Sequence, residues 1–461
     1  MRNQILNWLD EIDYLSELSD YIALPSRSRN QDETKIAGDF ALRLLEKSGL
    51  QTRRIPSSGN DVLFGHSLSD PKNPSVLLYG HYDVQPEGDI DLWNTPPFEA
   101  TKIGDKLFGR GSADNKGQHY AHLMGLRYFK ENYPEEFNKV NIKFILDGDE
   151  ELGSFSLPAV VEQNKELLMA DFVIVSDGPS LIETAPTIVG GVRGIVSFQI
   201  KIKHNKIDLH SGNFGGVGRS ATFDALNLVR TMIDESGKVL IDGFYDDIEE
   251  LSELEKTALK NLEPVYNKII SDRDITPAIR VNEYSHPFLN EAWPTLNING
   301  LLAGGVKNER RTIIPSETYL SIDCRLVSNQ NPEKISRLIK DHIIKWSKTN
   351  GIENAIEIDM EGTMAPSTSS LNSKFLNIIQ EATRKGFGVE PVLVPRLGGS
   401  LPIQLFPRIL DRPVFLIPYA LADENNHSPN ENLDLNYFKS GVITSVELMK
   451  LLASKVNDEN L

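Results

Sequence analysis

Among 461 residues there is one cysteine, Cys324. No intrachain disulfide can form, thiolates can contribute almost nothing to a metal site, and the chain fits a reducing compartment. Long apolar runs are missing too: no stretch approaches the roughly 20 residues that a membrane span needs. The first eleven residues (Met1-Arg-Asn-Gln-Ile-Leu-Asn-Trp-Leu-Asp-Glu11) lack an apolar signal core and pattern as an amphipathic helix. A cytoplasmic location with no membrane contact is the expectation. Positive charge is scarce, with 48 Lys and Arg against 65 Asp and Glu for a net charge of −17. That balance disfavours nucleic acid and anionic membranes as partners, because both select clustered cations. Internal repeats and low-complexity segments are absent.

What is present is the composition of a soluble globular protein, 40% hydrophobic and 25% charged, in a chain too long for one ordinary core. Residues 31–48 carry Ile36, Ala37, Phe40, Ala41, Leu44 and Leu45 at helical spacing, with Gly49 as a stop. Short apolar runs of strand length follow at 76–79, 141–146, 172–175 and 414–417, with helix-like segments such as 116–131 between them. Such alternation predicts an α/β unit with a mostly parallel sheet and helices on both faces. The middle differs. Residues 195–202 and 318–326 alternate like half-exposed strands, and Asn331-Pro332 opens a helix striped with Ile335, Leu338, Ile339, Ile343 and Trp346. This α+β pattern predicts a separate inserted domain over 187–368, leaving 1–186 and 369–461 as the two parts of the first domain.

Four apolar strands are followed directly by acidic or imidazole residues: His81 and Asp83, Glu150 and Glu151, Asp177, and, through a loop, His427. A fifth polar centre, Asp114, lies in the glycine-rich stretch Gly109-Arg-Gly-Ser-Ala-Asp-Asn-Lys-Gly117. Ligand sites of parallel sheets form beyond the carboxyl ends of the strands, so these groups can converge. Two histidines with several carboxylates suit zinc, or less selectively manganese or cobalt. The number of groups supports two ions sharing a water, with an uncoordinated carboxylate as proton acceptor. Consecutive residues Glu150 and Glu151 can serve, one towards the metal and one towards the water. Asp83, two residues from His81, can take the second ring N–H.

Taken singly, each feature has an ordinary explanation. A Glu-Glu pair is usually a solvated surface feature, Asp177-Gly-Pro reads first as a turn, and His427 could be a loop residue. Gly109-Arg-Gly-Ser is not followed by Gly-Lys-Ser/Thr, so a phosphate loop is not indicated. The recurrence of polar groups at strand ends carries the metal-site reading.

With these motifs in hand, the chain resembles the M20 family of metallopeptidases, near its cytosolic dipeptidase and carnosinase branch. The matching stretches are Gly-His-Tyr-Asp-Val-Gln-Pro (80–86), Gly-Arg-Gly-Ser-Ala-Asp-Asn-Lys-Gly (109–117), Asp-Gly-Asp-Glu-Glu-Leu-Gly-Ser (147–154), Asp-Leu-His-Ser-Gly-Asn-Phe-Gly-Gly (208–216), Asp-Cys-Arg-Leu-Val (323–327) and His-Ser-Pro-Asn-Glu (427–431). They run in the family's order across nearly the whole chain. The resemblance implies two zinc ions per subunit, with manganese or cobalt as substitutes. His81 and Asp177 would hold one, Glu151 and His427 the other, and Asp114 would bridge both. It further implies Asp83 as the orienter of His81, Glu150 as general base and later proton donor, and a cis peptide between Asp114 and Asn115. The inserted segment would be a lid that forms a homodimer, with His210 crossing to the partner's site to stabilise the oxyanion. Arg325 would clamp a substrate carboxylate, with Thr312 and Ser400 as further substrate contacts.

One departure bears on specificity. Dipeptidase relatives carry Arg-Glu-Gly-Gly-Ser where this chain has Arg396-Leu397-Gly398-Gly399-Ser400, and that Glu faces the substrate's free amine. Leucine cannot pair an ammonium, and burying one beside an alkyl group is costly. The expected activity is hydrolysis of an amide bond near a free carboxylate, on dipeptides or short peptides. An N-acyl amino acid deacylase or desuccinylase is the alternative enzyme, and a catalytically silent binding relative the alternative of another class. His119 and His122, at i and i+3, are expected at surface or supporting positions. His66, His204, His286 and His342 carry no motif.

Overall fold

A computed structural model describes residues 1–67, 70–180, 182–276 and 293–455; His286 lies outside them. The chain divides into two compact units. The first comprises Met1–Gly191, Thr368–Pro395 and Pro402–Leu461, and the second Val192–Ser367 with Arg396–Leu401. The return of 396–401 to the second unit has no counterpart in the linear pattern. Backbone hydrogen bonds explain it: the Arg193 N–H donates to the carbonyls of Leu397 and Gly399, and Arg193 Nε to that of Gly398.

In the first unit an eight-stranded sheet runs in the order Gln51–Ile55, Val62–His66, Asn141–Asp147, Ser75–His81, Phe172–Val175, Val414–Leu416, Thr187–Val189 and Val392–Val394. Its centre is parallel: Ser75–His81 pairs in parallel with both Asn141–Asp147 and Phe172–Val175, and the latter with Val414–Leu416. Val76, Leu77, Leu78 and Tyr79 are all buried, so both faces of the central strand are covered and its sequence reads as a continuous apolar run. Leu78, Phe144, Ile174 and Phe415 of the sheet share one core with Leu44, Leu123, Met124, Ile379 and Val446 of the helices Gln31–Lys47, Lys116–Asn132, Lys374–Phe387 and Leu435–Ala453.

The second unit holds a four-stranded antiparallel sheet in the order Thr295–Leu302, Glu317–Leu326, Gly194–Lys203 and Ile356–Met364. Val196, Phe198, Ile200 and Ile202 point into its core, whereas Ser197, Gln199 and Lys201 do not, as expected for a sheet with one buried face. Helices Ala221–Met232 and Pro332–Thr349 cover that face through Leu228, Met232, Ile335, Ile339 and Ile343. Asn331 caps the second helix by accepting from the Lys334 N–H at 2.8 Å.

One close approach registers the central strand of the first unit against the helix that follows the Asp114 loop. A Cβ at Gly80 would lie 2.7 Å from the His119 Cβ and 2.9 Å from Asn115 Oδ1. Gly80→Ala must therefore push the strand end away from residues 115–119. It is expected to lower the stability of the metal-free protein by about 1–3 kcal/mol, read from denaturant unfolding. Unchanged stability would show that the strand end yields without strain.

Candidate metal centre

The parallel strands of the first unit deliver their polar residues to one place. His81 is the last residue of its strand, Asp83 follows two residues on, and Glu150 and Glu151 open a short helical turn after Asn141–Asp147. Asp177 comes two residues beyond Phe172–Val175. His427 lies in the loop between Ala420–Leu421 and Asn432–Asp434, where Asn425, His427 and Asn430 all take positive φ. Asn and His are among the residues that adopt that region most readily.

Asp114 is the pivot. Its Oδ1 lies 3.1 Å from His81 Nε2 and its Oδ2 3.1 Å from His427 Nε2. Glu151 Oε2 is also 3.1 Å from His427 Nε2, and Asp177 Oδ2 is 3.8 Å from His81 Nε2. Two groups of donors result, His81–Asp114–Asp177 and Asp114–Glu151–His427, each with its ligand atoms within 4.8 Å of one another. Both contain only imidazole nitrogen and carboxylate oxygen, the donor set that suits zinc and also accepts manganese or cobalt. The peptide between Asp114 and Asn115 is cis.

Supporting hydrogen bonds fix these side chains. His81 Nδ1 lies 3.0 Å from the carbonyl oxygen of Asp83 and 3.3 Å from its carboxylate. That carboxylate accepts the N–H groups of Glu150 at 3.3 Å and Glu151 at 3.1 Å, so Asp83 joins two ligand-bearing segments besides facing the imidazole. Asn115 Nδ2 donates to Asp177 Oδ1 at 3.1 Å, and Gln85 Nε2 to Glu151 Oε2 at 2.9 Å.

The electrostatics follow from packing acids together out of water. Burial raises the Glu150 carboxyl well above the ordinary range, and Asp177, Glu151 and Asp114 add to this while His81 opposes it. Burial alone would lower His81, but Asp114, Asp177 and Asp83 hold it protonated far above its usual range. His427 is pushed up to about 10 by Asp114 and then Glu151. Burial works to raise Asp114, yet the two imidazoles beside it hold it low.

Several participants take partners that the linear sequence does not reveal. Glu431 is fully buried, pairs with Arg110 at 2.7 Å and accepts the Asp114 N–H at 2.9 Å. Glu424 is buried with neither carboxylate oxygen hydrogen-bonded, and burial together with Asp114 and Glu431 raises it well above the usual carboxylate range. His119 and His122 are fully buried, which removes the surface half of the expectation for them. The helix Lys116–Asn132 is enclosed on nearly every side. His122 is held between Ser176 Oγ and Ser445 Oγ at 2.8 Å each, and His119 meets Asn115 Oδ1 at 3.2 Å.

The remaining candidate residues belong to the second unit. Arg325 Nη1 donates to Ser400 Oγ at 3.1 Å. Arg325 also lies 3.4 Å from Asp323, which accepts from Asn297 and Asn299. His210 is exposed and precedes Ser211, whose N–H donates to the Thr312 carbonyl at 3.0 Å. Leu397 is half-buried, and its neighbour Arg396 is paired with Glu255 at 2.6 Å.

An α/β sheet that gathers two imidazoles and a cluster of carboxylates near its parallel strand ends offers two places for a divalent cation. The profile of peptidase family M20/M25/M40 matches residues 77–451, and the chain belongs to this family. It is similar to the Beta-Ala-His dipeptidase of Rattus norvegicus, at 30% identity over 470 residues covering 96% of this chain and 94% of the relative. It is also similar to Cys-Gly metallodipeptidase dug1 of Schizosaccharomyces pombe, 28% identical over 456 residues and 93% of each chain. Among solved structures, the M20 family metallo-carboxypeptidase Sso-CP2 from Sulfolobus solfataricus superposes with a TM-score of 0.84 at 30% identity, covering 96% of this chain and 99% of that one. The chain is therefore a hydrolase of the metallopeptidase class. No helix among the described residues is long and apolar enough to cross a membrane.

Stripping metal from such a site leaves its carboxylates without the cations that offset their repulsion. Chelation is expected to lower the thermal unfolding midpoint, and restoring zinc or manganese to raise it. Saturation at 100 times Kd corresponds to about 2.7 kcal/mol. A midpoint indifferent to chelator and to added metal would count against the centre.

Proposed function

We propose that this protein is a dinuclear zinc peptidase that cuts dipeptides or short peptides at an amide bond near a free carboxylate. The observation that carries the reading is Asp114, whose two carboxylate oxygens each face a different imidazole at 3.1 Å. His81 and Asp177 would hold one ion, Glu151 and His427 the other, and Asp114 belongs to both groups of donors. Two such ions would supply an acidified water near neutral pH and polarisation of the scissile carbonyl.

This chain's own residues do the rest. Glu150, 3.9 Å from His81 Nε2 and raised by burial, takes the water proton and returns it to the departing amine. Asp83 keeps His81 and the Glu150–Glu151 turn in register. Arg325, Thr312 and Ser400 hold the substrate carboxylate, a role that the Arg325–Ser400 contact supports. His210 stabilises the oxyanion in the site of the partner subunit of a homodimer. Dimer formation is supported by the edge strand Thr295–Leu302, which exposes Ile298, Leu301 and Leu302, and by exposed Phe223 and Leu226 on Ala221–Met232. An apolar sheet edge of this kind calls for cover. A cytoplasmic setting fits the buried, unpaired Cys324.

The names of the rat and fission-yeast relatives support dipeptides as substrates, and that of the archaeal structure supports cleavage at a carboxyl end. Leu397 favours a second reading, hydrolysis of N-acyl amino acids by the same machinery, because nothing at that position can pair a free amine.

Glu150→Gln is expected to lower kcat by about 10²–10⁴-fold with both metals retained, measured by turnover beside metal analysis. Near-normal turnover would remove Glu150 as the base. A rate comparison over dipeptides, N-acetyl and N-succinyl amino acids separates the two substrate readings. Leu397→Glu is expected to raise kcat/KM on free-amine dipeptides and leave N-acyl substrates no better; the reverse pattern would discard the role given to this position.

A further inference from the structure

Arg110 and Glu431 form a buried ion pair that none of the roles above uses. Arg110 is 1% and Glu431 0% exposed, and they lie 321 residues apart in sequence. The two oxygens of Glu431 have different partners. Oε1 accepts the consecutive N–H groups of Ala113 at 3.0 Å and Asp114 at 2.9 Å, and Oε2 accepts from Arg110 Nη1 at 2.7 Å. The Glu431 carbonyl accepts the Gly109 N–H at 3.0 Å. Arg110 Nη2 donates to the carbonyl of Pro86 at 3.2 Å, and its guanidinium lies over the Trp93 ring. One pair therefore joins three segments: 81–86, which begins at His81; 109–114, which ends at Asp114; and 427–431, which begins at His427.

We propose that Arg110 and Glu431 are positioning residues that set the orientation of Asp114 between His81 and His427, and so govern both metal sites together. Pinning two successive N–H groups on one oxygen fixes the backbone that leads into Asp114, and with it the direction of the carboxylate. Arg110 holds the same carboxylate by its other oxygen, through Nη1, while Nη2 anchors to the Pro86 carbonyl, and it offsets one negative charge next to an acidic cluster. A buried ion pair is weak evidence for stability, since apolar replacements often serve as well. Its use here lies in the backbone that it aligns. Because Asp114 serves both donor groups, a slip of its segment weakens both steps of metal binding.

This inference rests on the reading of Asp114 as a shared ligand, and the test separates the two. Zn²⁺ binding to the metal-free protein is measured by competition with a chromophoric chelator, beside thermal unfolding of the metal-free forms. Glu431→Asp keeps the charge and the pairing type but withdraws the acceptor by about 1.5 Å. Both Zn²⁺ affinities are expected to fall at least about tenfold, and Arg110→Lys to give a smaller loss, again in both steps. A merely stabilising pair would lower the unfolding temperature of both variants and leave both affinities as in wild type, and that result overturns the inference. Loss confined to one step overturns it as well. Should Glu431→Asp not fold, Arg110→Lys decides by the same readout, with no loss counting against. Wild-type protein that takes up fewer than two ions overturns the dinuclear reading and this inference with it. Uptake of two ions with unchanged variants overturns the positioning role alone.

Discussion

Negative charge gathered in a buried place is the constraint around which the first unit is built. Asp83, Asp114, the pair Glu150–Glu151 and Asp177 come from four segments, and all are withdrawn from water to some degree. Acids so packed either take up protons or attract cations. The imidazoles of His81 and His427 stand among them, with one oxygen of Asp114 facing each at 3.1 Å. The parallel centre of the sheet makes the gathering possible, because neighbouring strands that point the same way end at the same edge. An antiparallel arrangement would have sent half of these residues to the opposite end.

What the linear sequence made legible was the chemistry that follows strand ends. The strand ending at His81 shows it well: residues 76–81 are buried, so the apolar run 76–79 needs no partner to be recognised. The four central strands at 76–79, 141–146, 172–175 and 414–417 and the Asn331-capped helix stand out for the same reason, since a local pattern coincides with a local structure. His81, Asp114, Glu151, Asp177 and His427 were nameable because each sits directly after such a pattern or inside a motif.

The rest was hidden where structure depends on distant contacts. Asp83 was expected to serve His81 alone; that its carboxylate also ties down the N–H groups of Glu150 and Glu151 depends on strands paired across sixty intervening residues. His119 and His122 are expected at surface or supporting positions, yet the helix carrying them is enclosed, and His122 meets Ser445 Oγ from the far end of the chain. Residues 396–401 lie among segments of the first unit in sequence and join the second through backbone bonds to Arg193. Glu431 was visible in a motif, but its meaning lies in Arg110 and two backbone N–H groups more than 300 positions earlier.

A division of labour follows between the parts that run the chemistry and those that choose the substrate. The residues proposed as ligands and base, with their supports, lie in the first unit and depend on buried hydrogen bonds, where a change of one side chain leaves an unpaired donor or acceptor and is costly. The residues assigned to substrate lie in the second unit at less buried positions, including Arg325 and the segment around Leu397. Exchanging Leu397 for another residue disturbs no ion pair or hydrogen bond of the metal centre. On the proposed reading, a change at Leu397 alters substrate preference and leaves the cluster intact, whereas no comparably free substitution exists at Asp114, whose carboxylate faces two imidazoles and whose backbone is held by Glu431.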